Sequence, residues 1–166
     1  MPVTIENLAA EIKVLLSAKP IEQCADAVCA AVSTALRDAD LIACNLPNRA
    51  PGEHPRKVLY EDPHLGFCIC GHVYNGPAES GPHDHGSSWA IYGQAVGTTE
   101  MSDWRIVTPG DPVRVVKEKT YTLNPGDAHF YGIGAVHSPK RTGSTRLIRV
   151  EGANLDNVTR SNIQAA

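Results

Sequence analysis

The segment Gly81-Pro82-His83-Asp84-His85-Gly86 carries two imidazoles in an i, i+2 relation and leads into a run that reads as a strand. On an extended chain, residues two apart point to the same face, so His83 and His85 can present their rings to one point. Further on, Pro125-Gly126-Asp127 turns into Ala128-His129-Phe130-Tyr131, and Gly132-Ile133-Gly134-Ala135-Val136-His137 follows. A third imidazole arriving from a different strand completes a facial set of three and leaves positions open for substrate or dioxygen. Histidine is the commonest metal ligand and the usual acid or base near neutral pH, so the placement of the chain's seven histidines comes first. A His-x-His pair by itself describes two solvated turn residues at least as well. The Pro-Gly-Asp turn and the Gly-x-Gly-x-x-His run downstream favour the ligand reading.

Three neutral imidazoles leave a divalent metal its whole positive charge, with no carboxylate to offset it. Such a centre favours an anionic bidentate ligand: a thiol-carboxylate, a β-diketonate or a hydroxy acid. With iron(II), a position stays open for O2 and oxygen activation follows. Nickel, zinc and manganese fit the same ligands, because affinity alone does not select among them. With zinc the chemistry would be Lewis-acid polarisation or water activation rather than oxidation.

Strand parity supplies candidate lining residues. With a register shift near Ala90, Tyr92, Gln94 and Val96 face inward. A phenol and an amide inside an apolar barrel need partners, which a bound ligand can provide; for Gln94, bonds to backbone serve as well. Cys68, Cys70, His72 and Tyr74 share one face opposite Phe67, Ile69 and Val73. Residues i and i+4 on one strand stand ~13 Å apart, so that row cannot chelate by itself. It reads as barrel lining, with Tyr74 nearest the metal. Trp89, Tyr74 and Tyr92 are expected to form much of the pocket wall in a chain with only 5% aromatic residues. His129 is either a supporting partner of the site or a rim residue, and His54 and His64 sit in polar, loop-like surroundings.

The elements that must hold these residues fall into two textures. Up to about residue 48 the chain is rich in Ala, Leu and Ile at helical spacing. Thr4 can cap a helix carrying Leu8, Ile12, Leu15 and Leu16 on one face. Pro20 opens a second helix with Cys24, Val28, Ala31 and Leu36. Three prolines between Asn45 and Pro55 resist helix and central strand alike. Beyond them, runs at 57–60, 65–74, 88–96, 100–107, 113–117, 121–123, 128–131 and 145–150 read as strands, separated by Gly and Pro. About eight short strands in roughly 100 residues predict an all-β sandwich or barrel. The expected organisation is therefore a helical segment at 1–48 packed on a barrel at 49–156, with a polar, loose tail at 157–166.

The 166 residues suit one domain, and 15 basic against 18 acidic residues give a net charge of −3. The first 45 residues hold Lys13, Lys19 and Arg37 against six acids (Glu6, Glu11, Glu22, Asp26, Asp38, Asp40). That balance disfavours a nucleic-acid partner, which calls for a basic stripe. No apolar run reaches the ~18 residues needed to span a bilayer, so no membrane partner is expected. Five cysteines without regular spacing do not make a disulfide framework, and no secretory signal is visible. A reducing cytoplasm is the expected location.

The two histidine segments resemble the paired motifs of the cupin superfamily, over roughly residues 56–150. The first of those motifs places a Glu after His-x-His; His83, His85 and Gly97 fit it, while the Glu position falls on Trp89 or Ala90. The second, Pro-x-Gly-x-x-His, is matched by Gly132-x-Gly134-x-x-His137 with the proline replaced. The resemblance implies a double-stranded β-helix (jelly roll) with a three-histidine metal site. Within cupins, the helical N-terminus, His-Asp-His and the missing Glu resemble the cysteine dioxygenase-like thiol dioxygenases, which use non-haem iron(II) to add O2 to a thiol sulfur. That likeness implies a carboxylate-binding role for Arg56, in Arg56-Lys57-Val58-Leu59-Tyr60. A guanidinium fork suits the task, although a surface charge beside Glu61 and Asp62 is an even alternative. The family's Ser-x-His-x-Tyr relay is absent: the late strand Thr145-Arg146-Leu147-Ile148-Arg149-Val150-Glu151 offers Leu147, Arg149 and Glu151 instead. Ala90 stands where some members carry a cross-linking cysteine.

The function implied is an iron dioxygenase acting on a small organic anion and O2. His83, His85 and His137 would hold the metal, and Arg56 the carboxylate. Tyr92 would bond to the reacting oxygen, with Tyr74 and Gln94 as further substrate contacts. A redox-neutral metal enzyme (isomerase, lyase or hydrolase) and a non-catalytic ligand-binding cupin are the alternatives. Cupins commonly pair through sheet edges, so a homodimer is expected.

Overall fold

The computed structural model describes residues 3–166. Helix α1 (Ile5–Ala18) starts where Thr4 Oγ1 accepts the Asn7 amide at 3.1 Å and buries Ile5, Leu8, Ala9 and Ile12. Pro20 precedes α2 (Ile21–Ala35), which buries Cys24, Val28, Ala31 and Val32. A short third helix, α3 (Ala39–Asn45), not anticipated from the spacing of apolar residues, is capped by Asp38 accepting the Leu41 amide at 2.9 Å.

Ten strands follow: β1 (Arg56–Glu61), β2 (Cys68–Tyr74), β3 (Ala78–Glu79), β4 (Ala90–Val96), β5 (Thr99–Thr108), β6 (Val113–Leu123), β7 (Ala128–Tyr131), β8 (Val136–Arg141), β9 (Thr145–Glu151) and β10 (Ile163–Ala165). They form two five-stranded sheets, ordered β1-β2-β9-β4-β7 and β10-β6-β5-β8-β3. The fold is mainly β, a double-stranded β-helix preceded by helices. Three local expectations are corrected. The runs 113–117 and 121–123 are one strand, because Lys117, Lys119 and Thr120 pair with β5 without a turn between them. A strand absent from the expected runs, β8, carries His137 and pairs with β5. The C-terminal segment is not loose at its end: β10 pairs in parallel with β6 from Ile163↔Val113 to Ala165↔Val115.

Alternation along the first sheet divides the interior in two. Phe67 just before β2, Ile69 and Val73 of β2, Ile91 and Ala95 of β4, and Ile148 and Val150 of β9 point outward into one apolar cluster with α1 and α2. Gly93 permits the close approach, since a Cβ there would lie 2.6 Å from Val32 Cγ1 and 3.0 Å from Leu36 Cδ1. The inward faces enclose a second, smaller cluster of Ala90, Tyr92, Met101, Leu123 and Tyr131. Helix packing thus supplies most of the apolar burial, which leaves the barrel interior free to hold polar groups.

Trp89 belongs to the outer cluster, its ring 6.4 Å from that of Phe130. It is therefore not pocket wall, contrary to the expectation from its neighbours in sequence. Val96 is likewise not inward: the β4–β9 register shifts between Gln94 and Val96, and Val96 is 40% exposed.

Candidate metal centre

His83 and His137 lie on either side of an isolated antiparallel bridge, each accepting the other's backbone amide at 3.0 Å. Their rings stand 4.7 Å apart, and His85 closes the triangle at 4.7 Å from His137 and 5.8 Å from His83. One donor atom from each of the three lies within 4.8 Å of the others, an arrangement that can hold a metal ion. The His83 Nδ1–H donates to the Gly81 carbonyl at 2.9 Å, which leaves Nε2 with its lone pair for the cluster. Nε2 of His85 and of His137 both sit 3.2 Å from Tyr92 Oη, so these two nitrogens also converge. Burial holds all three imidazoles below their ordinary pKa, with His137 pushed down to about 3. They are neutral at pH 7, as ligation requires. The donor set therefore fits a borderline divalent cation such as iron, nickel or zinc.

Tyr92 comes from β4 and is paired to Arg149 of β9. Arg149 Nη1 donates to Tyr92 Oη at 3.0 Å, while its Nε and Nη2 reach Glu151 Oε1 at 2.9 and 2.8 Å. Glu151, fully buried, also receives Arg56 Nη2 at 2.8 Å. Burial alone would raise the Glu151 carboxyl, but the two guanidiniums outweigh it and hold it below its ordinary value. Arg149 and Glu151 thus occupy the inward positions of β9 and orient a tyrosine hydroxyl that arrives from β4.

A cavity of about 490 Å³ opens beside the cluster, lined by Arg56, His72, Tyr74, His83, Tyr92, Arg141, Arg149 and Arg160 among others. Of the three histidines, His83 lines it; His85 and His137 are 2% and 0% exposed. Of the residues assigned from sequence, His83, Tyr92, Tyr74 and Arg56 meet in this cavity. Gln94 does not line it. The Gln94 amide donates to the Val96 and Gly97 carbonyls at 3.1 and 2.9 Å and accepts from Thr99 Oγ1 at 2.9 Å, bracing the turn after β4. Arg56 reaches the cavity with its fork engaged by Glu151, Asp156 and Asn154. His129 lies stacked 5.1 Å from the Tyr121 ring and 4.5 Å from Tyr131, away from the lining. His54, expected to be merely solvated, is exposed but stands on the cavity rim.

Sequence reading missed Arg141. It sits on β8 four residues after His137, and strand parity from His137 places it on the same inward face. Cys68 and Cys70, inward on β2, are ordinary packing thiols: burial pushes both up to about 12.

No family model matches the chain, and no curated protein matches it. Solved structures with a similar fold include a double-stranded β-helix protein from Klebsiella pneumoniae (16% identity, 69% of this chain and 82% of that one, TM-score 0.49). A cupin domain from Schizosaccharomyces pombe gives 14% identity over 63% and 70%, TM-score 0.46. A cupin-2 domain protein from Shewanella frigidimarina gives 13% over 66% and 96%, TM-score 0.44. None of the three carries a functional argument for this chain. The fold rests on the strand order, and the site on the three imidazoles.

Proposed function

We propose that the protein is a mononuclear metal-dependent enzyme, a non-haem iron dioxygenase acting on a small organic anion. The observation that carries this reading is the convergence of three neutral imidazoles, without a carboxylate among them, beside an arginine-lined cavity. An iron(II) ion held by His83, His85 and His137 would supply O2 activation and a Lewis-acidic site for an anionic donor. The chain's own residues do the rest. Burial keeps the three ligands deprotonated. Arg149 donates into the Tyr92 oxygen, so the Tyr92 hydroxyl proton is directed toward the space shared by His85 and His137. Glu151 keeps Arg149 in place for that task. The resemblance to thiol dioxygenases supports a thiol-carboxylate as one substrate candidate. The relay they use is replaced here by Tyr92 and Arg149, which widens the candidates to hydroxy acids and β-diketones.

Protein purified without chelator is expected to carry about one metal per chain, and His137→Ala to lose it, as elemental analysis would read. Added iron(II) should raise the melting temperature of the wild type and not of His137→Ala. Oxygen uptake by the iron-loaded protein across thiols, diketones and hydroxy acids then tests the oxidative chemistry. A redox-neutral product formed with no O2 consumed would replace the dioxygenase by an isomerase, lyase or hydrolase at the same ligands.

A further inference from the structure

The cationic groups around the cavity are not equivalent. Arg56 and Arg149 share the buried Glu151 carboxylate, and Arg56 has Asp156 as well at 2.9 Å. Arg141 is 6% exposed and has no ion pair among the described residues. Its Nε is buried without a hydrogen-bond partner. What it does have is the ring of Tyr74, with the guanidinium carbon 4.3 Å from the centroid. His72, 4% exposed, lines the same cavity with Nδ1 3.4 Å from Tyr74 Oη and Nε2 unpartnered.

An uncompensated buried guanidinium is costly to a fold, and an unpartnered imidazole nitrogen beside it adds to the cost. Cation–π contact with one tyrosine recovers only part of it. A fold that keeps both groups against a cavity has left a place for an anion. The fork geometry of Arg141 suits a planar carboxylate, and the His72 imidazole lines the same cavity. Arg56 lacks that freedom, because a substrate carboxylate there would have to displace Glu151.

We infer that Arg141, with Tyr74 and His72 beside it, is the carboxylate subsite of the cavity, and that the substrate is a small organic acid whose carboxylate lies on Arg141 rather than on Arg56. This rests on the metal-site reading above only for what happens at the other end of the substrate. The subsite itself needs no metal.

The test uses metal-free and zinc-loaded full-length protein, with propionate and malonate as probes and propionamide as the neutral control, followed by calorimetry and thermal shift. Saturable binding of the carboxylates, at least tenfold tighter than propionamide and already present without metal, is expected. Arg141→Gln should weaken it at least tenfold while leaving the melting temperature unchanged or higher, because a strained buried charge has been removed. Arg141→Lys, which keeps a point charge but not the fork, should fall between. Arg56→Lys should change binding less than threefold. The proposal is overturned by equal binding of propionamide, by wild-type protein that binds neither carboxylate, or by a fall in melting temperature for Arg141→Gln with binding intact. Loss of binding in Arg56→Lys but not in Arg141→Gln would assign the subsite to Arg56. Because no O2 or iron is involved, failure of the dioxygenase reading leaves these outcomes unaffected.

Discussion

At the scale of single residues, the centre depends on which charges have partners. Glu151 is the pivot: one buried carboxylate holds two guanidiniums, and one of these, Arg149, holds the Tyr92 hydroxyl. Removing one member of a buried ion pair typically costs about 3–5 kcal/mol, because the remaining charge is stranded in low dielectric. Glu151→Ala is therefore expected to lose at least about 3 kcal/mol in urea unfolding. A loss below 1 kcal/mol would mean that solvent reaches the Arg149 guanidinium. Arg141 shows the opposite condition. Its lack of a counter-charge is the mark by which a ligand-facing arginine differs from a structural one.

At the scale of elements, the His-x-His segment is held in place from both sides. On one side, His83 bridges to His137 of β8. On the other, Asp84 points away from the three imidazoles and binds the segment before β10, accepting Ser161 Oγ at 2.6 Å and the Ser161 amide at 3.2 Å. The middle residue of His-Asp-His is thus an anchor for the C-terminal segment rather than a ligand. Gly86 completes the contact: it has φ +59°, and a Cβ there would run into the Thr159 carbonyl oxygen and come within 2.6 Å of Val158 Cγ1. Gly86→Ala should release residues 158–165 and loosen His85 with them. Hydrogen exchange should show lost protection in β10 together with weaker metal binding. Protection in β10 unchanged from wild type would refute the anchoring.

At the scale of the whole molecule, burial of imidazoles ties stability to pH. His72, His85 and His137 are all held below their ordinary pKa, first by desolvation and then by neighbouring positive or imidazole groups. A neutral buried histidine takes up its proton only after unfolding, so the unfolded chain binds more protons below about pH 6.5. Stability of the metal-free protein should accordingly be full above that pH and fall as pH drops from about 6.5 toward 4, by up to about 1.4 kcal/mol per pH unit for each such histidine. Melting curves from pH 7.5 to 4.5 check this. A flat profile between pH 6.5 and 5, above the carboxylate range, would show that the imidazoles are protonated within the fold. Among the described residues no helix is long and apolar enough to cross a membrane.

Much of this was legible in the residues alone. The i, i+2 spacing of His83 and His85 and the glycine-punctuated approach to His137 pointed to the three-histidine cluster, because strand parity is a local property. The outward apolar row of Ile69 and Val73 on β2 was legible for the same reason. The pairing of partners was not. That Glu151 takes up the fork of Arg56, that Gln94 braces a turn, that Trp89 lies outside the barrel and that Arg141 stands uncompensated beside Tyr74 all depend on contacts between residues far apart in the chain. A residue's type states which charge or donor it brings. Only the tertiary structure decides which of those donors find a partner inside the protein and which are left facing the cavity.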